Sequence, residues 1–482
     1  MVAEWLGSLK RWPISESSNG LLLSDGADRG VRDRGVITLL NALALLASLG
    51  CARHTLRQSE SVCVGPAAYA RDVDFALRTI REQYVYVDDK DVDWSQAQRI
   101  ARESADTVHS KRELVGVLER LMDNLYDPHA IVRANTSHSP RLVPSGLDTW
   151  AEWRDTEAVV TAVRPSYGAE LQGVRPGMRV IAINGIPIES AAAARLGAAV
   201  RSPAPREARA WSLLSALAGR HDTPRVLRVR DLRGEIRDIA IDSISPPLID
   251  RGANEPPVEG RWVAPDRAPT MRAARYGYVR LNALDDERSV SAFDSVLETF
   301  RGSDGLILDL RNTPGGGNTG VAEPILGRFI TRVEGYQQVV PRKGRAYVRT
   351  VAPRGPWTYN ASLVVLVGRW TGSMGEGMAI GLDGMHRAVV VGTRMAGLAG
   401  AVDDFKLPCS GISIALPTAR LLHVNGTPRD RWVPPVLVDL VAEERREVAR
   451  TEAGQPGKDG QTQFDPVFDR AVGILENLTS RR

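Results

Sequence analysis

Two apolar strands that end in glycine-rich turns constrain the fold of this 482-residue chain more than any other feature. The first is Leu306–Leu308, which runs into DLRNTPGGGN, and the second is Leu363–Gly368, which runs into RWTGSMGE. Short apolar runs bounded by turn signals are consistent with buried strands. Strands and helices alternate from Tyr276 to about Val441, so the sequence predicts an α/β domain there.

The two turns present groups that suit catalysis. Gly315–Gly317 offers bare backbone N–H groups for an anion or a developing oxyanion, and no Gly-Lys-Ser/Thr follows, as a phosphate loop requires. A loop that only needs positive φ angles would explain the same glycines. Ser373 lies at a strand-to-helix turn between Gly372 and Gly375, where its hydroxyl is uncrowded. Taken alone, that segment favours a plain helix N-cap.

The rest of the chain divides into further segments. Apolar residues recur every three and four positions within residues 67–140, as in KRELVGVLERLMDNL, which predicts a small helical domain. Residues 145–245 change to short strands, with a tight Pro176-Gly177 turn and an Asn184-Gly185 hairpin turn. Prolines within residues 250–275 indicate a linker. The catalytic α/β domain is expected at 276–445, and a charged tail with a last helix at 446–482.

A leader is predicted over residues 1–51. Val36–Gly50 is a 15-residue apolar run, preceded by three arginines and followed at once by Cys51. It is short for a transmembrane helix, which needs about 20 residues. The ending Leu49-Gly50-Cys51 resembles a bacterial lipobox, with Ser48 where leucine is preferred. We therefore expect a cell-envelope lipoprotein, periplasmic or on the outer surface, anchored to the membrane at Cys51; a buried helix is the alternative.

Charge and cysteine content exclude several classes of function. The 62 basic and 58 acidic side chains nearly balance, so nucleic acid is not expected as a partner. Only six of the basic residues are lysines, which leaves few candidates for a lysine base. The cysteines form no CxxC pair, so a structural metal is not expected, and whether Cys63 and Cys409 pair stays open. No cofactor is expected either.

Residues 145–245 resemble a PDZ domain. The run GAELQGVRPGMRVIAING, residues 168–185, agrees with the PDZ pattern at its turn and core positions, and only Met178 departs, where aspartate is usual. The resemblance implies a β-domain that captures an extended polypeptide by adding it to a sheet edge.

The order of motifs around that domain resembles the C-terminal processing, or tail-specific, serine peptidase family. The motifs are DLRNTPGGGNTG, LVVLVGRWTGSMGEGMAIGL, RAVVVGTRMAGLAG and a late PVLVD segment, within a resemblance that covers residues 70–480. It implies a multidomain α/β protein with a Clp protease/crotonase-like catalytic domain, a PDZ β-domain and an N-terminal helical domain. Its function would be that of an exported serine endopeptidase.

The same resemblance implies the site residues. The family's T-A-S-x-x-E segment places the nucleophile at Ser373, and the oxyanion hole would come from the backbone N–H groups of Gly315, Gly316 and Met374. Ser/Lys members carry a lysine in a T-F-G-K-G segment, where this chain has Leu398.

The tricorn-like branch instead takes a histidine from a D-x-H segment and an acid near the end of the catalytic domain. Asp127-Pro128-His129 matches the first of these, and Asp430 within TPRDRWV lies at the second. A neutral imidazole oriented by a carboxylate is a suitable base for serine. His138 is a rival base, and Asp430 could equally be a surface partner of Arg431.

Two other functions stay open at this point. One is a catalytically inactive binding protein that keeps the peptidase and PDZ fold. The other is a crotonase-like acyl-thioester enzyme, for which the sequence offers no nucleotide-binding feature.

Overall fold

The computed structural model describes residues 63, 65–243, 256–263, 275–313, 316–454 and 464–480. The predicted leader with Cys51 lies outside the described residues, and so does Gly315 of the predicted oxyanion hole. Within the described part of the chain, no helix is long and apolar enough to span a bilayer.

Three helices occupy the region that the sequence predicts to be helical: α1 (Pro66–Gln83), α2 (Trp94–Ala105) and α3 (Lys111–Asp123). The side chain of Asp93 caps α2 by accepting the Ser95 and Gln96 N–H groups, each at 3.0 Å, and Ser110 caps α3. The chain then forms β1 (Ile131–Val132), which pairs antiparallel with a strand near residue 415.

An antiparallel sheet follows, which we call the β-module (residues 142–243). Its elements are β2 (Thr149–Arg154), β3 (Glu157–Val163), α4 (Gly168–Leu171), β4 (Arg179–Ile183), β5 (Ile186–Pro187), α5 (Ile188–Ala193), α6 (Arg206–Ala218), β6 (Val226–Arg230) and β7 (Ile236–Ala240). The strand order is β2-β3-β4-β6-β7, with β5 on β4. The predicted Asn-Gly hairpin turn is confirmed, because Asn184 and Gly185 both have positive φ, +50° and +78°.

The next layer is a six-stranded sheet in the order β17-β14-β13-β10-β9-β8, parallel except for β8. The strands and helices of this part of the chain are, in order, β8 (Val258–Trp262), β9 (Tyr276–Leu281), α7 (Arg288–Thr299), β10 (Gly305–Asp309), α8 (Thr319–Leu326), β11 (Glu334–Pro341), β12 (Tyr347–Val351), β13 (Ser362–Val367), α9 (Met374–Gly384), β14 (Val389–Gly392), β15 (Ala401–Lys406), β16 (Ser413–Leu422), β17 (Val436–Leu437), α10 (Leu440–Glu452) and α11 (Pro466–Thr479). Of these strands, β11, β12, β15 and β16 belong to a second sheet. The predicted α/β alternation is therefore present.

The predicted linker differs from the structure. Residues 258–262 within it form β8, the antiparallel edge of the six-stranded sheet, and Val258 is buried. The prolines that suggested a linker flank this strand at 256, 257 and 265, and none lies inside it. An edge position is where a proline-bounded strand can pair on one side only.

A second sheet, in the order β1-β16-β11-β12 with β15 also on β16, joins distant parts of the chain. One hydrophobic core is built from α1, α2 and α3 together with apolar residues of β16 and the turn before it: Leu407, Ile412, Ile414 and Leu416. The helical region is thus packed directly on the α/β region.

Cys63 and Cys409 form a disulfide with a Cα–Cα distance of 5.1 Å. It ties the start of α1 to the turn between β15 and β16. Beside it, the buried carboxylate of Asp72 accepts the N–H groups of Cys409 and Ser410 at 2.8 and 2.7 Å. The pairing that the sequence left open is therefore present in the structure.

Candidate active site

The two glycine-marked turns meet at one edge of the parallel sheet. β10 and β13 are neighbours, with Asp309 opposite Leu366, so their carboxyl ends lie side by side. Buried threonines tie the turns together: Thr371 Oγ1 donates to Leu310 O at 2.7 Å, and the carbonyl of Thr313 accepts the Gly372 N–H at 2.9 Å. The crevice at the carboxyl ends of parallel strands is where α/β proteins place their sites.

Ser373 immediately precedes α9 and has a left-handed backbone, with φ +49° and ψ −110°. This conformation costs free energy for any residue with a side chain, and such strain is concentrated at functional sites. Ser373 is partly exposed, whereas its neighbours Gly372 and Met374 are buried. Its hydroxyl is thus presented at a helix N-terminus.

Glu376, in the first turn of α9, is fully buried and accepts three backbone N–H groups. These come from Ser373 at 2.8 Å, Gly397 at 2.8 Å and Leu398 at 3.1 Å. Burial raises the pKa of Glu376 to about 7, although Arg429, whose Nε lies 4.0 Å away, and the three N–H groups act to lower it. The sequence motif contains this glutamate, but the motif alone does not indicate that its carboxylate links the Ser373 turn to residues 397 and 398.

His129 is held by its own motif. The Asp127 carboxylate accepts the His129 backbone N–H at 2.9 Å and the Tyr84 hydroxyl at 2.7 Å. The ring Nδ1 lies 2.9 Å from the carbonyl oxygen of Ala399. Because a carbonyl can only accept, this contact assigns the proton to Nδ1 and leaves Nε2 with a free lone pair.

Electrostatics keep that imidazole neutral. Burial and then the positive charge of Arg429 lower the pKa of His129 to about 4. At neutral pH the ring is therefore uncharged, and its Nε2 can accept a proton.

One short turn joins these groups. Gly397 and Leu398 donate to Glu376, and Ala399 accepts from His129, so residues 397–399 connect the Ser373 turn to the histidine. Leu398, at the position where the family resemblance would put a lysine, contributes its backbone and is buried. Within the described residues, no hydrogen bond joins Ser373 directly to His129.

The glycine-rich turn lies against the start of α9. A Cβ added to Gly317 would lie 2.7 Å from the Cβ of Met374, so the two backbones are in close contact. Gly316 has φ +79°. Met374 is the first residue of α9, and its N–H has no carbonyl partner inside the helix. The predicted donors Gly316 and Met374 are thus on neighbouring segments.

Comparison with known proteins gives a family match for the α/β region. Residues 275–435 match peptidase family S41. The chain carries a peptidase family S41 domain. A carboxyl-terminal-processing protease of Picosynechococcus sp. is 24% identical over 333 residues, which cover 68% of this chain and 72% of that protein.

Two solved structures are similar in fold. The photosystem II D1 C-terminal processing protease has a TM-score of 0.50 at 18% identity, covering 77% of this chain and 93% of that one. Mature CPAF complexed with lactacystin has a TM-score of 0.55 at 14% identity, covering 86% and 99%.

Asp430 is not brought to His129. Its side chain is exposed and makes no hydrogen bond or ion pair with any residue that the structure describes. The neighbouring Arg429 points inward instead: it is 3% exposed and donates to the carbonyls of Leu398 and Gly400. The group that orients the imidazole is therefore the Ala399 carbonyl, and the buried charges behind it are Glu376 and Arg429.

The rival bases lie elsewhere. His138 is an exposed side chain that pairs with Asp222. Lys406 and Lys343 are exposed residues of the second sheet and its hairpin. Across the residues for which a structure is described, no group of three His, Cys, Asp or Glu side chains could hold a metal ion.

Proposed function

We propose that this chain is a serine endopeptidase of the C-terminal processing type, with Ser373 as nucleophile and His129 as general base. His129 Nε2 removes the Ser373 proton as Oγ attacks an amide carbonyl. The imidazolium then protonates the departing amine. His129 next takes a proton from the water that attacks the acyl-enzyme, and it returns a proton to Ser373 Oγ as the carboxylic acid product leaves. The observation that carries this proposal is the path from the strained Ser373 through Glu376 and the 397–399 turn to a neutral His129.

The oxyanion of the tetrahedral intermediate would be stabilised by backbone donors. Met374 N–H and the Gly316 backbone lie on adjacent segments at the helix N-terminus, and Gly315 is proposed as a further donor. Preorganised donors of this kind contribute about 10²- to 10³-fold each to the rate.

Three single variants test the assignment. Ser373→Ala and His129→Ala should each lower hydrolysis of fluorescein-labelled casein by about 10³-fold or more, because the residues act as a unit. His138→Ala, a surface histidine outside the site, is the matched control and should stay within about twofold. A fluorophosphonate probe should label the wild type at Ser373 and fail on Ser373→Ala.

A catalytically inactive binding protein is the second candidate. Two observations favour it: Leu398 stands where Ser/Lys peptidases have their base, and no hydrogen bond joins Ser373 to His129 among the described residues. A folded wild type that resists the fluorophosphonate and leaves casein intact would select this alternative.

We also propose that the β-module is a PDZ-type peptide-binding domain. The support is that β2 lies at an edge of its sheet and pairs with β3 alone, beside helix α6. An extended polypeptide added to that edge would gain main-chain hydrogen bonds. Binding of peptides with a free carboxyl terminus, but not of their amides, would be measured by fluorescence anisotropy.

Export and lipid anchoring at Cys51 are proposed as well. The Cys63–Cys409 disulfide supports an oxidising compartment, since such bonds are rare in reducing ones. Mass spectrometry of the membrane fraction would detect a mature chain that begins at a lipidated Cys51, and an unprocessed chain would refute the proposal.

A further inference from the structure

Trp370 lies three residues before Ser373, yet its side chain is in the core of the β-module. It is 3% exposed and lies in one hydrophobic cluster with Leu147, Trp150 and Leu213 of that module. The backbone of Trp370 belongs to the turn after β13 in the parallel sheet. One side chain therefore joins the turn that carries the nucleophile to the neighbouring module.

The contacts of Trp370 are directional. Its indole N–H donates to the carbonyl of Leu147 at 2.7 Å, in a fully buried hydrogen bond. Its ring meets Trp150 edge to face, with centroids 6.3 Å apart and planes at 85°. Leu147 precedes β2 and Trp150 lies within it, so the anchor is on the edge strand of the module.

Arg369 adds a second link on the same turn. Its guanidinium lies over the Trp150 ring, 5.0 Å from the centroid, and pairs with Glu152. It also donates to the carbonyl of Met395 at 3.3 Å. Two consecutive side chains before Thr371 thus reach across to β2.

The module also holds the glycine-rich turn. Arg164 is buried and donates to Asn312 Oδ1 at 2.7 Å and to the carbonyl of Ser145 at 2.9 Å. Asn312 lies in the DLRNTPGGG segment. Both turns that supply reacting groups are therefore attached to the same neighbour.

We propose that Trp370 is a positioning residue that holds the strained Ser373 turn in its reactive geometry by fastening it to the β-module. The inference rests on the proposed function, in which Ser373 is the nucleophile. Ser373 has φ +49°, and a strained backbone persists only where its surroundings over-determine it. Glu376 fixes the turn from the catalytic side, and Trp370 fixes it from the module side.

The test compares two tryptophan variants of the full chain. Trp370→Phe keeps an aromatic ring but loses the N–H that reaches Leu147. Trp153→Phe is the matched control: its indole N–H also donates to a carbonyl, that of Arg209 at 3.0 Å, but this bond stays inside the module. Melting temperatures establish that both variants fold.

Trp370→Phe should lower the rate of fluorophosphonate labelling and the kcat on casein by about 10- to 100-fold while KM stays unchanged, because small displacements of a nucleophile cost that much. Amide hydrogen exchange in residues 368–378 should rise in parallel. Trp153→Phe should match the wild type in all three measurements. If Trp370→Phe does not fold, Arg369→Gln is used, and it should lower labelling and raise exchange in the same direction.

The outcomes separate the two proposals. A wild type that is neither labelled nor active on casein refutes the proposed function. Hydrogen exchange then still tests whether Trp370 holds the Ser373 turn against the β-module. If hydrogen exchange and labelling in Trp370→Phe or Arg369→Gln equal those in Trp153→Phe, the positioning role is refuted. The proposed function is not affected by that outcome.

Discussion

Glu376 makes the geometry of the site depend on the charge of one buried side chain. Its carboxylate accepts N–H groups from Ser373 on one side and from Gly397 and Leu398 on the other. A protonated carboxyl would have one acceptor fewer for these N–H groups. Since burial raises its pKa to about 7, the arrangement described above is complete only above that pH.

We expect labelling of Ser373 by a fluorophosphonate to fall in two steps as the pH is lowered. The first step, near pH 7, is protonation of Glu376, whose pKa is raised to about 7. The second, near pH 4, is protonation of His129, whose pKa is lowered to about 4 and which must be neutral to act as base. Labelling rates across about pH 3 to 9 measure both.

Glu376→Gln is the control for that profile. It has no ionisable group at this position, so the step near pH 7 should disappear while the step near pH 4 remains, at a lower overall rate. A wild-type profile with one step near the ordinary histidine value of about 6.5 would contradict the assignment.

Arg429 and Asp430 are consecutive residues, but the Arg429 side chain is buried and the Asp430 side chain is exposed. Arg429→Met leaves Glu376 buried without its counter-charge, and breaking a buried pair costs about 3–5 kcal/mol. We expect this variant to melt at lower temperature and to lose labelling by about 100-fold. Asp430→Asn, on an exposed side chain, should leave the melting temperature unchanged and the labelling rate within about twofold of the wild type.

Arg429→Lys keeps the charge without the planar fork that reaches the carbonyls of Leu398 and Gly400, so its labelling rate should fall between the other two. Equal losses of labelling in Arg429→Met and Asp430→Asn would contradict this and show that the Asp430 carboxylate contributes to the reaction.

These residues show what the sequence can predict at this scale. Ser373 and His129 belong to local motifs, and the structure places each on a turn that suits its proposed role. Whether Arg429 or Asp430 points inward depends on the 3-10 turn Arg429–Arg431 and on which charge can be compensated inside. Neither condition can be predicted from the residues that neighbour Arg429 and Asp430 in the sequence.

At the scale of elements, local turn chemistry was the dependable signal. The Asn184-Gly185 hairpin and the last helix, which begins at Pro466, are present in the structure. Strand β8 was missed because proline density suggested a linker, while its stabilisation comes from pairing with β9, including Gly260 opposite Val279. Such pairing is a tertiary contact that a local pattern does not contain.

The disulfide is a long-range link between two elements, and its loss should affect stability more than catalysis. Replacing both Cys63 and Cys409 by serine should lower the free energy of unfolding by about 2–4 kcal/mol. Labelling of Ser373 should stay within about twofold, because neither cysteine contacts a proposed site residue. Thermal unfolding with and without a reductant measures the effect.

The double serine variant is also the control for the reductant. Its melting temperature should be the same in both conditions and should equal that of the reduced wild type. A wild type whose melting temperature ignores the reductant would show that the link contributes nothing to stability.

At the scale of the whole molecule, the segments predicted as separate domains share their interiors. Ile414 and Leu416 of β16 lie in the core formed by α1–α3, and β1 pairs with the same strand. Trp370 likewise completes the core of the β-module. Segment boundaries could be predicted from composition, but cores shared between distant segments could not, because the contacting residues are hundreds of positions apart.

This sharing predicts how the chain behaves when it is divided. A fragment of residues 256–480 would expose Leu407, Ile414 and Leu416, and would lack His129. We expect it to bind a hydrophobic dye, to unfold without cooperativity and to resist fluorophosphonate labelling. Co-expression with residues 63–243 should restore a soluble complex in which Ser373 is labelled, as measured by co-purification through a tag on one fragment. A 256–480 fragment that alone is monomeric, cooperative and labelled at the wild-type rate would show that neither the shared core nor His129 is needed, and would return the general base to the α/β region.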